Sequence, residues 1–118
     1  MSSLRILKEA RALVEKGWTQ NADARNKRGA ECPKFDKHAS AWCITGAMDA
    51  ASYKRFTLSS RVWQEAVRAM RIAINSVRDR NVECVFLSDW NDVPGRKKEE
   101  VLAVFDKAIE SLQERASQ

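Results

Sequence analysis

No apolar run in this 118-residue chain approaches the ~18–20 residues that a bilayer-spanning helix needs. The opening residues, Met1-Ser2-Ser3-Leu4-Arg5, lead straight into an amphipathic pattern, without the charged and then apolar order of a secretory leader. A cytoplasmic protein that does not engage membranes is expected. Cysteine is scarce and odd in number. Cys32, Cys43 and Cys84 are widely spaced, lack the paired spacing of a metal or redox site, and read as free thiols of a reducing compartment. Histidine occurs once, as His38, with no base–nucleophile pair implied around it, so it reads as a cap or surface residue. The P-loop, GxGxxG, G-x-S-x-G and HExxH patterns are all absent, which removes the recognisable signatures of several hydrolase and nucleotide-binding classes. Asp89 and Asp92 stand three apart on one loop, a low-specificity arrangement for a divalent ion, and neither metal nor cofactor is expected.

What is present is an ordinary globular composition, 44% hydrophobic and 31% charged, long enough for one domain over residues 1–118 with a core of its own. The formal charge is +5, and the excess lies in the first half of the chain. A basic balance suits a phosphate-bearing partner but does not by itself name an activity. Apolar spacing predicts helices over 4–16, 39–53, 58–80 and 97–115. Ser2 or Ser3 is placed to cap the first and Gly17 to follow it. The second is apolar nearly all round, as a buried helix is, and its small residues allow another backbone close. Between helices 1 and 2, Asn26-Lys27-Arg28-Gly29 can close a short hairpin joining 22–25 to 30–32. Residues 82–87 read as a brief strand or buried connector and 88–96 as a loop. The expected fold is mainly α, a compact four-helix domain with a small β-hairpin or long loop between helices 1 and 2.

Function concentrates on loops held by a rigid scaffold, and the segment Trp90-Asn91-Asp92-Val93-Pro94-Gly95-Arg96 gathers an aromatic face, an amide, a carboxylate and a guanidinium before the last helix. A helix N-terminus favours anions, Arg96 offers a planar fork for phosphate or carboxylate, and Trp90 can stack a base. The competing reading is a capped turn, with Asp92 accepting backbone amides and Trp90 filling the core. Trp18, like Trp90, lies outside the helices and is a recognition candidate, whereas Trp42 and Trp63 read as packing. Arg25, Lys27, Arg28, Lys34 and Lys37 crowd the first loop beside Trp18, as a flap over a ligand or as a solvated loop. Arg61, Arg68, Arg71 and Arg78 fall within a sector of about 100° on helix 3. They suit a phosphate backbone or form a solvated face whose stems cover apolar surface.

The pattern Trp18, Ala24-Arg25, Gly29, Trp42-Cys43-x-x-Gly46-Ala47, Trp90-Asn91-Asp92-x-Pro94-Gly95-Arg96, Glu100-Val101 and Asp106-x-Ala108-Ile109 resembles a family of small bacterial and phage proteins of unknown function, over roughly residues 4–112. Members often carry Thr just after the arginine, where this chain has Lys97. The resemblance implies a small cytosolic protein of phage or bacterial origin, and it carries no activity.

Three functions follow as expectations. One is a non-enzymatic protein that binds and sequesters a small nucleotide-like ligand, countering bacterial immune signalling. Trp18 and Trp90 would stack the base, Arg25 and Arg96 would hold phosphates, and Asn91 and Asp92 would bond the base edge or ribose. A homodimer is compatible with such a pocket. Another is a phage inhibitor that binds nucleic acid or a defence protein through a basic surface, Arg61, Arg68, Arg71 and Arg78. The least supported is a nucleotide-cleaving enzyme using Asp89, Asp92 or His38.

Overall fold

A computed structural model describes residues 2–52, 60–77 and 86–116. Its elements are α1 (Ser3–Lys16), β1 (Ala24–Asn26), β2 (Ala39–Trp42), α2 (Ile44–Ser52), α3 (Arg61–Ser76), α4 (Leu87–Asn91) and α5 (Lys98–Ala116). The fold is mainly α, with a small antiparallel sheet between the first two helices, as the apolar periodicity implied.

α1 packs against α2, α3 and α5, and α3 packs on α5. Ile6, Leu7, Ala10 and Val14 of α1 meet Ile44, Ala47 and Met48 of α2, Ala66, Met70 and Ile74 of α3, and Val101, Phe105 and Ala108 of α5 in one core. In α1, α3 and α5 these positions recur mostly at three- and four-residue intervals, so each of these helices turns one apolar stripe inward, whereas α2 is buried nearly all round. Ser2 caps α1 by accepting the Arg5 N–H at 3.2 Å, and Ser60 caps α3 through the Trp63 N–H at 3.1 Å. The third helix therefore begins at Arg61, later than the expected residue 58. Its expected end at residue 80 lies outside the described residues, as do Tyr53, Arg78, Cys84 and most of the 82–87 connector.

Two other expectations are corrected. Residues 39–42 form a strand and not the start of helix 2. β2 pairs with β1 in the register Ala24↔Trp42 and Arg25↔Ala41, and its last residue is also held by α1's exit. The Trp42 N–H donates to Gly17 O at 3.0 Å and the Thr19 N–H to Trp42 O at 3.2 Å. Backbone partners on both sides override a sequence whose composition suits a helix. The expected hairpin pairing survives alongside, as Asn26 N–H to Ala30 O at 2.9 Å and Cys32 N–H to Ala24 O at 3.1 Å. The second correction is α4. Leu87, the last residue of the expected connector, and residues 88–91 of the expected loop coil into a short helix and bury Leu87, Trp90 and Asn91, so the described residues contain five helices and not four.

Gly17 follows α1 as expected, for a different reason. Its φ of −171° is extended, which any residue adopts, but a Cβ there would lie 2.1 Å from Ser40 O. Gly46 is similar, since a Cβ would lie 2.1 Å from Asp23 O. Backbone from the sheet region thus seats directly on the end of α1 and on α2. Gly29, by contrast, has φ of +81° with nothing near its missing side chain.

Gly17→Ala and Gly46→Ala should each destabilise by about 2 kcal/mol or more through forced backbone shifts, and Gly29→Ala by about 1 kcal/mol through its left-handed φ. Urea midpoints at constant m would rank the three. A neutral Gly17→Ala would contradict the close seating of β2.

Candidate functional site

Pro94 and Gly95 set the geometry of the segment entering α5. Gly95 has φ of +86°, and the Arg96 N–H closes on Val93 O at 3.0 Å, a turn of the kind that takes proline at its second position and glycine at its third. The turn folds Arg96 back across Trp90, its guanidinium 3.8 Å from the ring centroid and its Nε donating to Trp90 O at 3.0 Å. Arg96 Nη1 reaches Glu100 at 3.1 Å. The other Glu100 oxygen accepts the Lys97 N–H at 2.9 Å, the reciprocal half of a capping box. Lys97 has no side-chain oxygen for the forward half, which a threonine would supply. The Lys97 N–H, with Arg96 beside it, holds the Glu100 carboxyl below its ordinary value. The α5 N-terminus is thus met by the helix's own acid.

Asn91 is fully buried and bonds in four directions. Its Oδ1 accepts Trp18 Nε1–H at 2.8 Å and the Ile44 N–H, the first of α2, at 3.2 Å. Its Nδ2 donates to Thr19 O at 3.1 Å and to Asp92 Oδ1 at 2.9 Å. A carboxamide offers two acceptor sites and two donors, and all are used. Asp92 Oδ1 also takes the Asn21 N–H at 2.9 Å, and Asn21 sits at a left-handed φ of 62°. Gln20 Nε2 donates to the carbonyls of Asn91 and Val93, both at 2.9 Å. Arg25 braces the far side, with Nε to Thr19 Oγ1 at 2.9 Å, Nη1 to Gly29 O at 3.0 Å and Nη2 to Gln20 O at 3.3 Å.

All six expected ligand residues, Trp18, Arg25, Trp90, Asn91, Asp92 and Arg96, therefore belong to one network, which ties residues 18–21, the start of α2 and α4 together. Trp90 is only 6% exposed and the Arg96 side chain 16%. A base stacking on the Trp90 face that Arg96 covers would have to displace that guanidinium. Thr19, Gln20 and Asn21 complete the network without having been singled out. Their signal is a run of polar residues directly after a tryptophan, too common to be specific.

The arginines of α3 sit differently. Arg61 and Arg68 are exposed and Arg71 half-buried. None of the three forms an ion pair among the described residues, and the buried Nε of Arg71 has no acceptor. Lys27, Arg28, Lys37 and His38 are exposed in the first loop. Lys34 instead reaches the buried carboxylate of Asp49 at 2.5 Å. That pair was signalled by one charge in an otherwise apolar helix, which must find a partner. A recess of about 330 Å³ on the hairpin is lined by Asp23, Ala24, Glu31, Cys32 and Pro33, an acidic surface unsuited to phosphate. Asp89 is exposed on α4. Among the described residues no three His, Cys, Asp or Glu side chains converge on a metal-sized site, and no helix is long and apolar enough to cross a membrane. Cys32 and Cys43 are free thiols. Cys43 Sγ accepts the Gly46 N–H at 3.2 Å, and burial pushes its thiol up.

The model of one family, described as a family of unknown function (DUF6197), matches residues 1–111. The chain belongs to that family. No curated protein and no solved structure matches, so what the family does has to be argued from the side chains themselves. In this chain the Trp90-Asn91-Asp92 segment is a clasp, with Trp90 and Asn91 built into the interior.

Asn91→Ala strands the Trp18 indole N–H, the Ile44 N–H and Thr19 O, at about 1–3 kcal/mol for each buried group left unpaired. A loss of at least about 3 kcal/mol by urea denaturation is expected, and a loss below about 1 kcal/mol would contradict the network. Glu100 titrates below its ordinary value, so its contribution is present above the unfolded pKa and disappears as pH falls through the folded one. The stability gap between the wild-type chain and Glu100→Gln should accordingly close under acid, and a gap constant with pH would contradict the assignment.

Proposed function

We propose that this is a non-enzymatic binding protein that engages phosphate-bearing partners, nucleic acid foremost, through the basic face of α3. One observation carries the reading. The guanidiniums of Arg25 and Arg96 are spent on the protein's own carbonyls, hydroxyl and carboxylate, whereas Arg61 and Arg68 stand exposed with no acid partner among the described residues.

Seven residues separate Arg61 from Arg68, about 10 Å along the helix and within about 20° of one line, so both reach the same side. Such a row contacts backbone phosphates and reads no sequence. Net charge of +5 adds long-range attraction. Capture of a small nucleotide signal, or occlusion of a nucleic-acid surface used by a bacterial defence system, would draw on the same guanidiniums.

Binding to a random-sequence DNA duplex of about 20 base pairs should weaken linearly in log–log form as salt rises, and Arg61→Ala/Arg68→Ala should lower that slope by about 1.8, near 0.9 per lost phosphate contact. No duplex binding at about 50 mM salt, or a slope unchanged in the double variant, would overturn the reading.

A further inference from the structure

We infer that Arg71 is the anchoring phosphate contact of the α3 face, a role that rests on the proposed function and names the residue that contributes most to it. In the free protein its guanidinium lies half-buried with one N–H unmatched. On binding nucleic acid it turns outward and grips a backbone phosphate in a bidentate pair.

A contrast among the arginines carries this. Four arginines of the described residues, Arg11, Arg25, Arg71 and Arg96, are half-buried. In three of them the Nε–H, the donor nearest the stem, is matched inside the protein. Arg11 aims it at Asp106 Oδ1 at 2.5 Å, Arg25 at Thr19 Oγ1 at 2.9 Å and Arg96 at Trp90 O at 3.0 Å. Arg71 is the exception. Its Nε is buried and has no acceptor, and the side chain forms no ion pair among the described residues. A buried donor of a charged group without a partner is costly, and in a native structure it is rare enough to call for a cause.

Position on the helix supplies that cause. Arg71 follows Arg68 by three residues and Arg61 by ten, so it stands about 60° and 80° from them around the axis. On its other side Val67 and Ile74, about 40° and 60° away, belong to the packed interior. Arg71 thus occupies the border between the arginine row and the core stripe. A stem laid toward the apolar side, as arginine stems commonly lie, carries Nε inward with it. Rotation about the side chain's own bonds brings the fork back to the row, where Arg68 is one turn away.

Energetics single Arg71 out. An exposed arginine such as Arg61 or Arg68 exchanges water for phosphate, so only part of each new bond appears as affinity. Arg71 gives up no hydrogen bond at Nε, so more of the new bond is retained. Nε and one Nη form a flat edge that matches two oxygens of a phosphate, whereas lysine supplies the charge without that edge. A side chain that weakens the free fold and strengthens the complex is what a binding site is expected to contain.

Two substitutions in the full chain test this, with the random-sequence duplex at about 50 mM salt. Arg71→Met keeps an unbranched stem and removes the fork. It should weaken binding about tenfold or more, the scale of one charge-assisted hydrogen bond, and by a larger factor than Arg68→Ala. It should also lower the salt slope by about 0.9, while its urea midpoint equals or exceeds that of the wild type. Arg71→Lys should keep the wild-type salt slope yet bind about threefold more weakly, since the bidentate pair is lost. With the wild-type chain binding duplex, any of four results would overturn the inference: near-wild-type affinity in Arg71→Met, a smaller loss there than in Arg68→Ala, a lower urea midpoint for Arg71→Met, or full affinity in Arg71→Lys. Failure of the wild-type chain itself to bind would instead remove the proposed function, and this role with it.

Discussion

The side chain of Asn91 is the constraint on which the rest of the structure depends. Buried in a low-dielectric interior, an amide left partly unpaired would cost far more than its bonds contribute. Its four bonds to Trp18, Thr19, Ile44 and Asp92 therefore fix three segments far apart in sequence. Trp18 and Thr19 leave α1, Ile44 opens α2, and Asp92 ends α4. Once these meet, the positions of β2 on Gly17 and of Asp23 on Gly46 follow, because only glycine admits backbone at those distances. The Pro94-Gly95 turn then returns the chain so that Arg96 closes over Trp90.

That arrangement divides the molecule's polar chemistry in two. The aromatic and amide groups that look most like a recognition loop are consumed in holding the scaffold. Lys34 on the buried carboxylate of Asp49 does the same for the first loop against α2, and Arg11 with Asp106 for α1 against α5. Among the described residues, the cations left exposed without an acid partner include Arg61 and Arg68 on the solvent side of α3, together with Lys27, Arg28 and Lys37 of the first loop. A row of exposed guanidiniums on a rigid helix is pre-organised for phosphate or carboxylate.

The sequence made the helices legible wherever one periodic stripe decided the outcome. α1 and α5 fall within a residue of the spacing of Leu7, Ala10 and Val14, and of Val101, Phe105 and Ala108. It misled where composition and partner disagreed. Ala39-Ser40-Ala41-Trp42 has nothing against a helix, and its pairing with β1, with the carbonyl of Gly17 and the amide of Thr19 on the other side, makes it a strand. Leu87 to Asn91 coils where Asn91 is held inward by Trp18 and Thr19, more than seventy residues away, which no local pattern encodes. The Trp90-Arg96 segment was recognisable as a unit from its turn chemistry and its rare tryptophan. Which way its side chains face was not, because that depends on Trp18, Gln20 and Asn21. The arginine row of α3 was read from spacing alone, while Arg71 within it became conspicuous only through its buried, unmatched Nε.

Hydrogen exchange of the Trp18 indole N–H, followed by NMR, tests the central claim most directly, since that proton is held by the fully buried Asn91. The account predicts protection approaching that of the most slowly exchanging core amides, because its release requires the clasp to open with the fold. Exchange at the rate of an exposed indole would show that the clasp opens freely and that these side chains are available for another role.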